Sequence, residues 1–314
     1  MNFKERIKQS GRRMLSIILG VLVFICRIIF AFLHSLYRCV IPCPPKAVEG
    51  KVILITGAGH GIGRETALRF ARLGARLVLW DINKTDNEQT AEDARNVGAG
   101  ACAYTVDVSN KSAVYAAAQK VQDEVGDVDI LINNAGILCG ELLLELTDEQ
   151  IERTFGVNIL AHFWIIRSFL PRMLERDSGH IVTIASLAGY FGTHRLVDYS
   201  SSKFAAVGLN DALRNELRML NKTEIHLSVV CPTFVSTGLI HNVAQRILFK
   251  MITAEDVAEA IVYGVQRNQR HIFPKAGIQS RLGIMLNAIL PYRVNEVLEE
   301  AIGITIGSQS KKQL

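Results

Sequence analysis

Tyr199 and Lys203 stand four residues apart. On a helix that spacing puts both side chains on one face. A phenol has an ordinary pKa of about 10 and is a poor base at neutral pH. A nearby ammonium favours the phenolate, so the two together have the makings of a general base. Taken alone, the spacing fits a surface pair equally well. A second constellation lies upstream. The apolar run VILIT (52–56) leads into Thr56-Gly57-Ala58-Gly59-His60-Gly61-Ile62-Gly63. Glycines there let a turn form, and let backbone N–H groups approach a pyrophosphate at the N-terminus of a following helix. The next apolar run, RLVLW, ends at Asp81, eighteen residues past Gly63. A carboxylate at that place accepts hydrogen bonds from the ribose hydroxyls of an adenosine and repels a 2′-phosphate, which favours NAD over NADP. A strand-end Asp also caps ordinary turns.

These groups need strand ends and helix starts to hold them. Strand-like apolar runs lie at 52–56, 76–81, 102–107, 129–133, 180–185, 226–231 and 271–273. Helical periodicity lies near 62–73, 84–97, 110–125, 148–175, 198–220 and 254–268. Short strands alternating with helices predict an α/β fold. The expected form is a doubly wound parallel sheet of the Rossmann type, about seven strands with helices on both faces. A membrane-associated helix and linker are expected over 1–46, the Rossmann domain over 47–275, and an apolar extension with a basic tail over 276–314.

The motifs carry a resemblance. TGAGHGIG with Asp81, then Asp107-Val108, then Asn133-Asn134-Ala135-Gly136, then Tyr199-Ser-Ser-Ser-Lys203 are similar in order and spacing to the short-chain dehydrogenase/reductase family. The resemblance runs from about residue 49 to 275. Within that family, LVLWDINK, GDVDILINNAGI and the hydrophobic leader resemble the membrane-attached retinol and 17β-hydroxysteroid dehydrogenases. The resemblance implies a catalytic set of Ser186, Tyr199, Lys203 and Asn158. Tyr199 would take the proton of an alcohol while NAD takes the hydride, its phenol pKa lowered by Lys203 and the nicotinamide. Lys203 would also hold the nicotinamide ribose. Ser186 would orient the substrate oxygen, and Asn158 would support Lys203 through water. The implied cofactor site comprises Gly57, Gly61, Ile62, Gly63, Asp81, Asp107, Val108, Asn134, Ala135, Gly136, Pro232 and Thr237, with Tyr199 and Lys203. Thr233 departs from the glycine usual after Pro232, which bears on the path of that loop.

Residues 234–252 occupy the family's variable substrate lid, and 278–292 form a second apolar stretch. Beside a membrane anchor, they point to a lipophilic alcohol: retinol, a 17β-hydroxysteroid or a long-chain fatty alcohol. NAD use points to the oxidative direction, because cellular NAD is mostly oxidised. A reductase is the second reading. The alternative from another class is a catalytically idle NAD-binding scaffold on the endoplasmic reticulum or lipid droplets. The intact set of Asn158, Ser186, Tyr199 and Lys203 argues against idleness. The resemblance further implies a homodimer paired through the helices of Asn158 and Tyr199.

The chain has 314 residues, 49% apolar and 21% charged, which excludes a disordered protein and a disulfide-stapled miniprotein. Its net charge is +5. Residues 1–50 hold eight basic and two acidic side chains, so the remaining body is close to neutral. Such a body has no electrostatic reason to bind nucleic acid. Six cysteines form no CxxC, and no histidine pair has metal-ligand spacing, so no metal is expected. Cys102, Cys139 and Cys231 lie among apolar or small residues and are expected to be buried thiols. His60, His162, His194, His226 and His241 are expected to be neither ligands nor catalysts.

Met14 to Leu33 reads MLSIILGVLVFICRIIFAFL, in which fourteen residues are Leu, Ile, Val or Phe. Twenty residues at about 1.5 Å each match the roughly 30 Å hydrocarbon core. Those fourteen contribute on the order of −4 to −8 kcal/mol, against about +3 for Arg27 at the centre, so membrane association wins. The basic residues before the segment favour a cytosolic N-terminus. Arg27 and His34 suggest a segment that dips in and returns, or lies in one leaflet. Lys311 and Lys312 in the terminal KKQL resemble a dilysine retrieval signal, which acts in the cytosol. The expected place is the endoplasmic reticulum membrane, with the catalytic domain in the cytosol, or a lipid droplet. Three glycosylation sequons, at Asn83, Asn110 and Asn221, would report a luminal body.

Overall fold

The computed structural model describes residues 3–41, 43–238, 243–244, 251–275, 277–302 and 305–306. The chain divides into two compact units, Met1–Pro45 and Lys46–Leu314. The first is built on one helix, α1 (Phe3–Val40). Within Arg13–Arg38 an 18-residue window reaches a mean hydropathy of 2.7, and the stretch is long and apolar enough to cross a membrane. Phe24, Ile28, Phe32 and their apolar neighbours are exposed, so the helix offers an apolar surface to its surroundings. The helix is unbroken through Arg27 and His34. The turn expected of a segment that dips in and returns is therefore not formed within it. Neither residue is a glycine or proline, and a helical backbone needs a stronger interruption to reverse.

The second unit is the alternating domain. Its strands are β1 (Val52–Thr56), β2 (Arg76–Asp81), β3 (Ala101–Thr105), β4 (Ile130–Asn133), β5 (Gly179–Ile184), β6 (Ile225–Val230), β7 (Val243–Ala244), β8 (His271–Ile272) and β9 (Thr305–Ile306). Seven of them form a sheet in the order β3-β2-β1-β4-β5-β6-β8, with every pairing parallel. The pair β7 and β9 is a separate antiparallel ribbon. The order reverses between β1 and β4. There the loops after the two strands turn away to opposite sides, leaving a crevice at their carboxyl ends.

Both sheet faces are covered, which is why the strands read as unbroken apolar runs. On β1, Ile53 and Ile55 pack with residues of α2 (Gly61–Arg72), α3 (Lys84–Asn96) and α8 (Ala254–Gln266). Val52 and Leu54 pack on the opposite side with α4 (Lys111–Glu124), α6 (Ala161–Arg176) and α7 (Val197–Met219). Each such side chain contributes about 1.5–3 kcal/mol by leaving water.

Three differences from the sequence reading have physical causes. The helix expected over 148–175 is α5 (Asp148–Phe155) and α6 joined by a π-helical turn, Gly156–Leu160, which carries Asn158. Hydrophobic periodicity is blind to one extra residue in a turn. The apolar stretch 278–292 is α9 (Gly277–Ile289), followed after Pro291 by α10 (Tyr292–Ile302), an element the periodicity did not reveal. Cys139 and Cys231 are buried thiols, but Cys102 is exposed because β3 is the edge strand.

Candidate active site

The glycine loop lies at the crevice, between β1 and the start of α2. Gly57 and Gly61 have positive φ values of 64° and 54°, which side chains other than glycine adopt at a cost. A Cβ on Gly63 would lie 2.0 Å from the Gly57 carbonyl oxygen, and one on Gly57 would lie 2.9 Å from the Ala135 Cα. The loop, the helix start and the β4 turn are thus in backbone contact. Thr56 and Asn134 lock that contact. The Thr56 Oγ1 accepts from the N–H groups of Asn134 and Ala135, both at 3.0 Å. The Asn134 Nδ2 donates to the carbonyls of Thr56 (2.8 Å) and Gly57 (3.1 Å).

Asp81 ends β2 beside this loop. Its Oδ2 accepts from Gly59 N–H at 2.8 Å and its Oδ1 from Asn83 N–H at 2.8 Å. The carboxylate is therefore held in place at the cavity wall. Asp107 lies further along the same wall, its Oδ1 taken by the Ser109 N–H and hydroxyl. A backbone cradle that a single Cβ would fill, with a fixed carboxylate at the next strand end, fits a dinucleotide with free ribose hydroxyls.

One cavity of about 1420 Å³ joins these groups to the rest. Gly57, Gly61, Ile62, Asp81, Asp107, Val108, Asn134, Ala135, Gly136, Ser186, Tyr199, Lys203, Pro232 and Thr237 all line it. Gly63 and Asn158 do not: Gly63 packs under Gly57, and Asn158 sits behind the wall. Thr237 stands against the loop, where a Cβ on Gly61 would meet its Cγ2 at 3.2 Å. The volume exceeds the roughly 300–1,000 Å³ of a usual ligand pocket, and leaves room for a cofactor and a second molecule.

Ser186 follows β5, and its hydroxyl accepts from Ala188 N–H at 3.1 Å. Tyr199 and Lys203 share one face of α7, with the ammonium 5.5 Å from the phenol ring centre. The Lys203 Nζ donates to the Ile184 carbonyl at 2.8 Å. Asn158 braces the opposite side. Its Oδ1 accepts from Ile137 N–H (2.9 Å), and its Nδ2 donates to the Ile137 carbonyl (2.9 Å) and to the Ser202 hydroxyl (3.0 Å). The π-helical turn points this amide at the β4 loop.

Burial dominates the ionisation of the pair. It pushes the Tyr199 phenol up to about 12, with the Ser186 hydroxyl pulling the other way. It pulls the Lys203 ammonium down to about 8. Of the two charges expected to lower the phenol pKa, Lys203 and the nicotinamide, Lys203 does not do so by itself. Lys203 sits beside the ring face rather than at the phenol oxygen, so desolvation outweighs attraction.

Sequence reasoning missed part of the wall. His60 and His194 line the cavity, as do Glu141 and Arg153. So do Gln279, Ser280, Leu286 and Asn287 of α9, and Asn295 and Leu298 of α10. The apolar signal of 278–292 marked that region, but nothing in it told which polar residues face inward. His162 lies outside the cavity, buried, with neither ring nitrogen hydrogen-bonded; burial lowers its pKa to about 3. His241 and much of the lid, 239–242 and 245–250, lie outside the described residues, as do Lys311 and Lys312.

Comparison with known proteins agrees with this geometry. Human 17-beta-hydroxysteroid dehydrogenase 13 is 45% identical over 284 residues, covering 90% of this chain and 94% of the relative. Estradiol 17-beta-dehydrogenase 11 of Mus musculus is 44% identical over 287 residues, covering 91% and 95%. Among solved structures, a short chain dehydrogenase/reductase from Burkholderia phymatum in complex with NAD superposes with a TM-score of 0.70 at 29% identity, covering 85% of this chain and 99% of that one. A metagenomic short-chain oxidoreductase in complex with NADP gives 0.62 at 27%, covering 73% and 99%. Residues 51–247 match the short chain dehydrogenase family. With that match, and with the glycine cradle, Asp81 and the Ser186–Tyr199–Lys203 wall on one cavity, the chain belongs to the short-chain dehydrogenase/reductase family.

Proposed function

We propose that this NAD-dependent oxidoreductase oxidises a lipophilic alcohol, of the retinol or 17β-hydroxysteroid type, at the Tyr199 end of the cavity. When bound, NAD supplies the hydride acceptor. The chain's own residues handle the oxygen and the proton. The Ser186 hydroxyl holds the alcohol oxygen. The Tyr199 oxygen accepts the proton of the alcohol O–H as the carbonyl forms, and then returns it to solvent. Lys203 and the positive charge of a bound nicotinamide would together draw the phenol towards the phenolate that accepts this proton, and Lys203 would anchor the nicotinamide ribose. Asn158 holds the β4 loop through Ile137, next to Gly136, where that loop comes close to the Lys203 ammonium. The observation that carries this reading is the continuity of one cavity from Asp81, through Ser186 and Tyr199, to the apolar side chains of Leu138, Phe191, Phe234 and Leu286.

The relatives at 42–45% identity that are named for hydroxysteroids support a steroid-sized substrate. Helix α1 supports attachment to a membrane that dissolves such substrates, with the endoplasmic reticulum and lipid droplets as the proposed sites and the catalytic domain in the cytosol. Exposed Phe163 on α6, and Val197 and Phe204 on α7, support pairing of two copies through these helices. The test is NADH formation by membranes carrying the protein, with all-trans-retinol, a 17β-hydroxysteroid and a long-chain alcohol offered separately. Tyr199→Phe is expected to lower turnover at least about a thousandfold while keeping NAD binding. Full activity of that variant would overturn the assignment.

A further inference from the structure

The cavity lining holds a further buried hydroxyl. Ser280 on α9 lines it, is 6% exposed, and its hydroxyl has no hydrogen-bond partner. A serine in a helix usually spends its hydroxyl on a carbonyl one turn back. A buried hydroxyl left unspent costs stability unless something meets it. The lining that α9 and α10 supply is mixed, with Gln279, Asn287 and Asn295 beside the apolar Leu286 and Leu298, and among these polar side chains Ser280 is the one both buried and left with an unpartnered hydroxyl. The seat of α9 is defined. A Cβ on Gly283 would stand 3.7 Å from Phe191, and the Arg281 guanidinium lies 5.8 Å from the Phe273 ring centre. Ser280 therefore lies on a helix whose inward residues line the cavity. Ser186 and Tyr199 line the same cavity from β5 and α7.

We propose that the Ser280 hydroxyl hydrogen-bonds a second oxygen of the substrate, distinct from the reacting carbinol that Ser186 and Tyr199 hold. The inference rests on the reading of this cavity as an alcohol-oxidising site. It narrows the substrate class. A hydroxyl both donates and accepts, so it recognises a second hydroxyl or carbonyl equally. The fitting substrate is a lipophilic alcohol that carries a second oxygen. A hydrocarbon alcohol with a single oxygen leaves Ser280 unmet, and a site with an unmet polar group discriminates against such a ligand.

The probes are a 17β-hydroxysteroid with an oxygen at C3 and the same skeleton without it, tested on the full chain in membranes. Steady-state kinetics and equilibrium binding are measured for wild type, Ser280→Ala and Ser280→Thr. The wild type is expected to bind the two-oxygen steroid about tenfold more tightly, a usual worth for one buried hydrogen bond. Ser280→Ala is expected to abolish that preference through KM, with kcat for the two-oxygen steroid retained, and Ser280→Thr to keep most of it. Equal binding of the two steroids by the wild type overturns the proposal. So does a Ser280→Ala effect of the same size on both, or one that appears in NAD affinity instead. Failure of the oxidation reading shows separately, as absence of Tyr199-dependent NADH formation, while the binding measurement still decides the role of Ser280.

Discussion

The floor and the roof of the cavity are built differently. On the floor, strand ends and backbone turns interlock. Asn134 binds two carbonyls of the glycine loop, Asp81 is held by two N–H groups, and Asn158 spends its whole amide on the β4 loop and Ser202. On the roof, α9 and α10 present mostly side chains. Ile278, Leu282, Met285 and Ile289 of α9 are exposed, while Ser280 on another side of the helix faces the cavity without a partner. A floor held by backbone contacts suits an invariant ligand, whose every atom must be met. A roof of side chains can be changed one residue at a time without disturbing the sheet. The contrast teaches where chemistry and where selectivity reside.

Substitutions at the two ends should therefore differ in kind. The largest effect is expected at Gly63, where a Cβ has no space beside the Gly57 carbonyl. Gly63→Ala should weaken NAD binding by about a hundredfold or more and lower thermal stability, as read by titration and calorimetry. Native affinity in that variant would show that the floor is as pliable as the roof. Asn158→Ala should come next. It removes three hydrogen bonds made by a fully buried amide, so a loss of about 2–4 kcal/mol in unfolding free energy is expected, with a fall in kcat larger than any change in the KM for NAD.

The pH dependence of stability sharpens the contrast in another way. His162, one turn past Asn158, is buried and held neutral, with its pKa lowered to about 3. The unfolded chain protonates the same group near its ordinary value of about 6.5. Protons thus favour the unfolded state between these values. The stability contributed is complete above about pH 6.5 and falls by about 1.4 kcal/mol per unit as pH drops towards 3. His180, also buried and lowered, adds to the same slope. Denaturant titrations from pH 7 to 4 should show the fall, and His162→Leu should make it shallower, leaving the share of His180. An unchanged slope in that variant would remove His162 from the account.

The smallest effect is expected on the roof. Leu286→Ala should raise the KM for a lipophilic alcohol about threefold to tenfold, since a half-buried leucine contributes only part of its transfer energy to the site. NAD affinity and melting temperature should stay close to those of the wild type. A loss of NAD binding in Leu286→Ala would mean that roof and floor are one structural unit.

Much of this arrangement was legible in the residue order. The strands from Val52, Arg76, Ile130 and Ile225 begin within two residues of their expected starts, because parallel strands buried on both faces leave unbroken apolar runs. The glycine loop was readable because its glycines stand where a strand meets a helix, and only that position serves a phosphate. The π-helical turn was not legible, because a one-residue bulge leaves the local pattern of apolar residues nearly unchanged. Helix α10 was missed for a related reason: its exposed Tyr292 and Val297 mix apolar and polar residues on faces that local periodicity does not distinguish.

The sequence by itself determined the alternating α/β order, the apolar leader, the cradle glycines and the type of each group at the site. These follow from local rules, since propensity, spacing and side-chain chemistry act over a few residues. Only the tertiary structure decided what those groups become. It set the Tyr199 phenol high and the Lys203 ammonium low, because desolvation depends on everything packed around them. It left Cys102 in solvent at an edge. It carried α9, more than seventy residues past Lys203 in the chain, onto the same cavity and turned Ser280 inward. Burial and long-range contact are properties of the packed chain as a whole, and no window of neighbouring residues contains them.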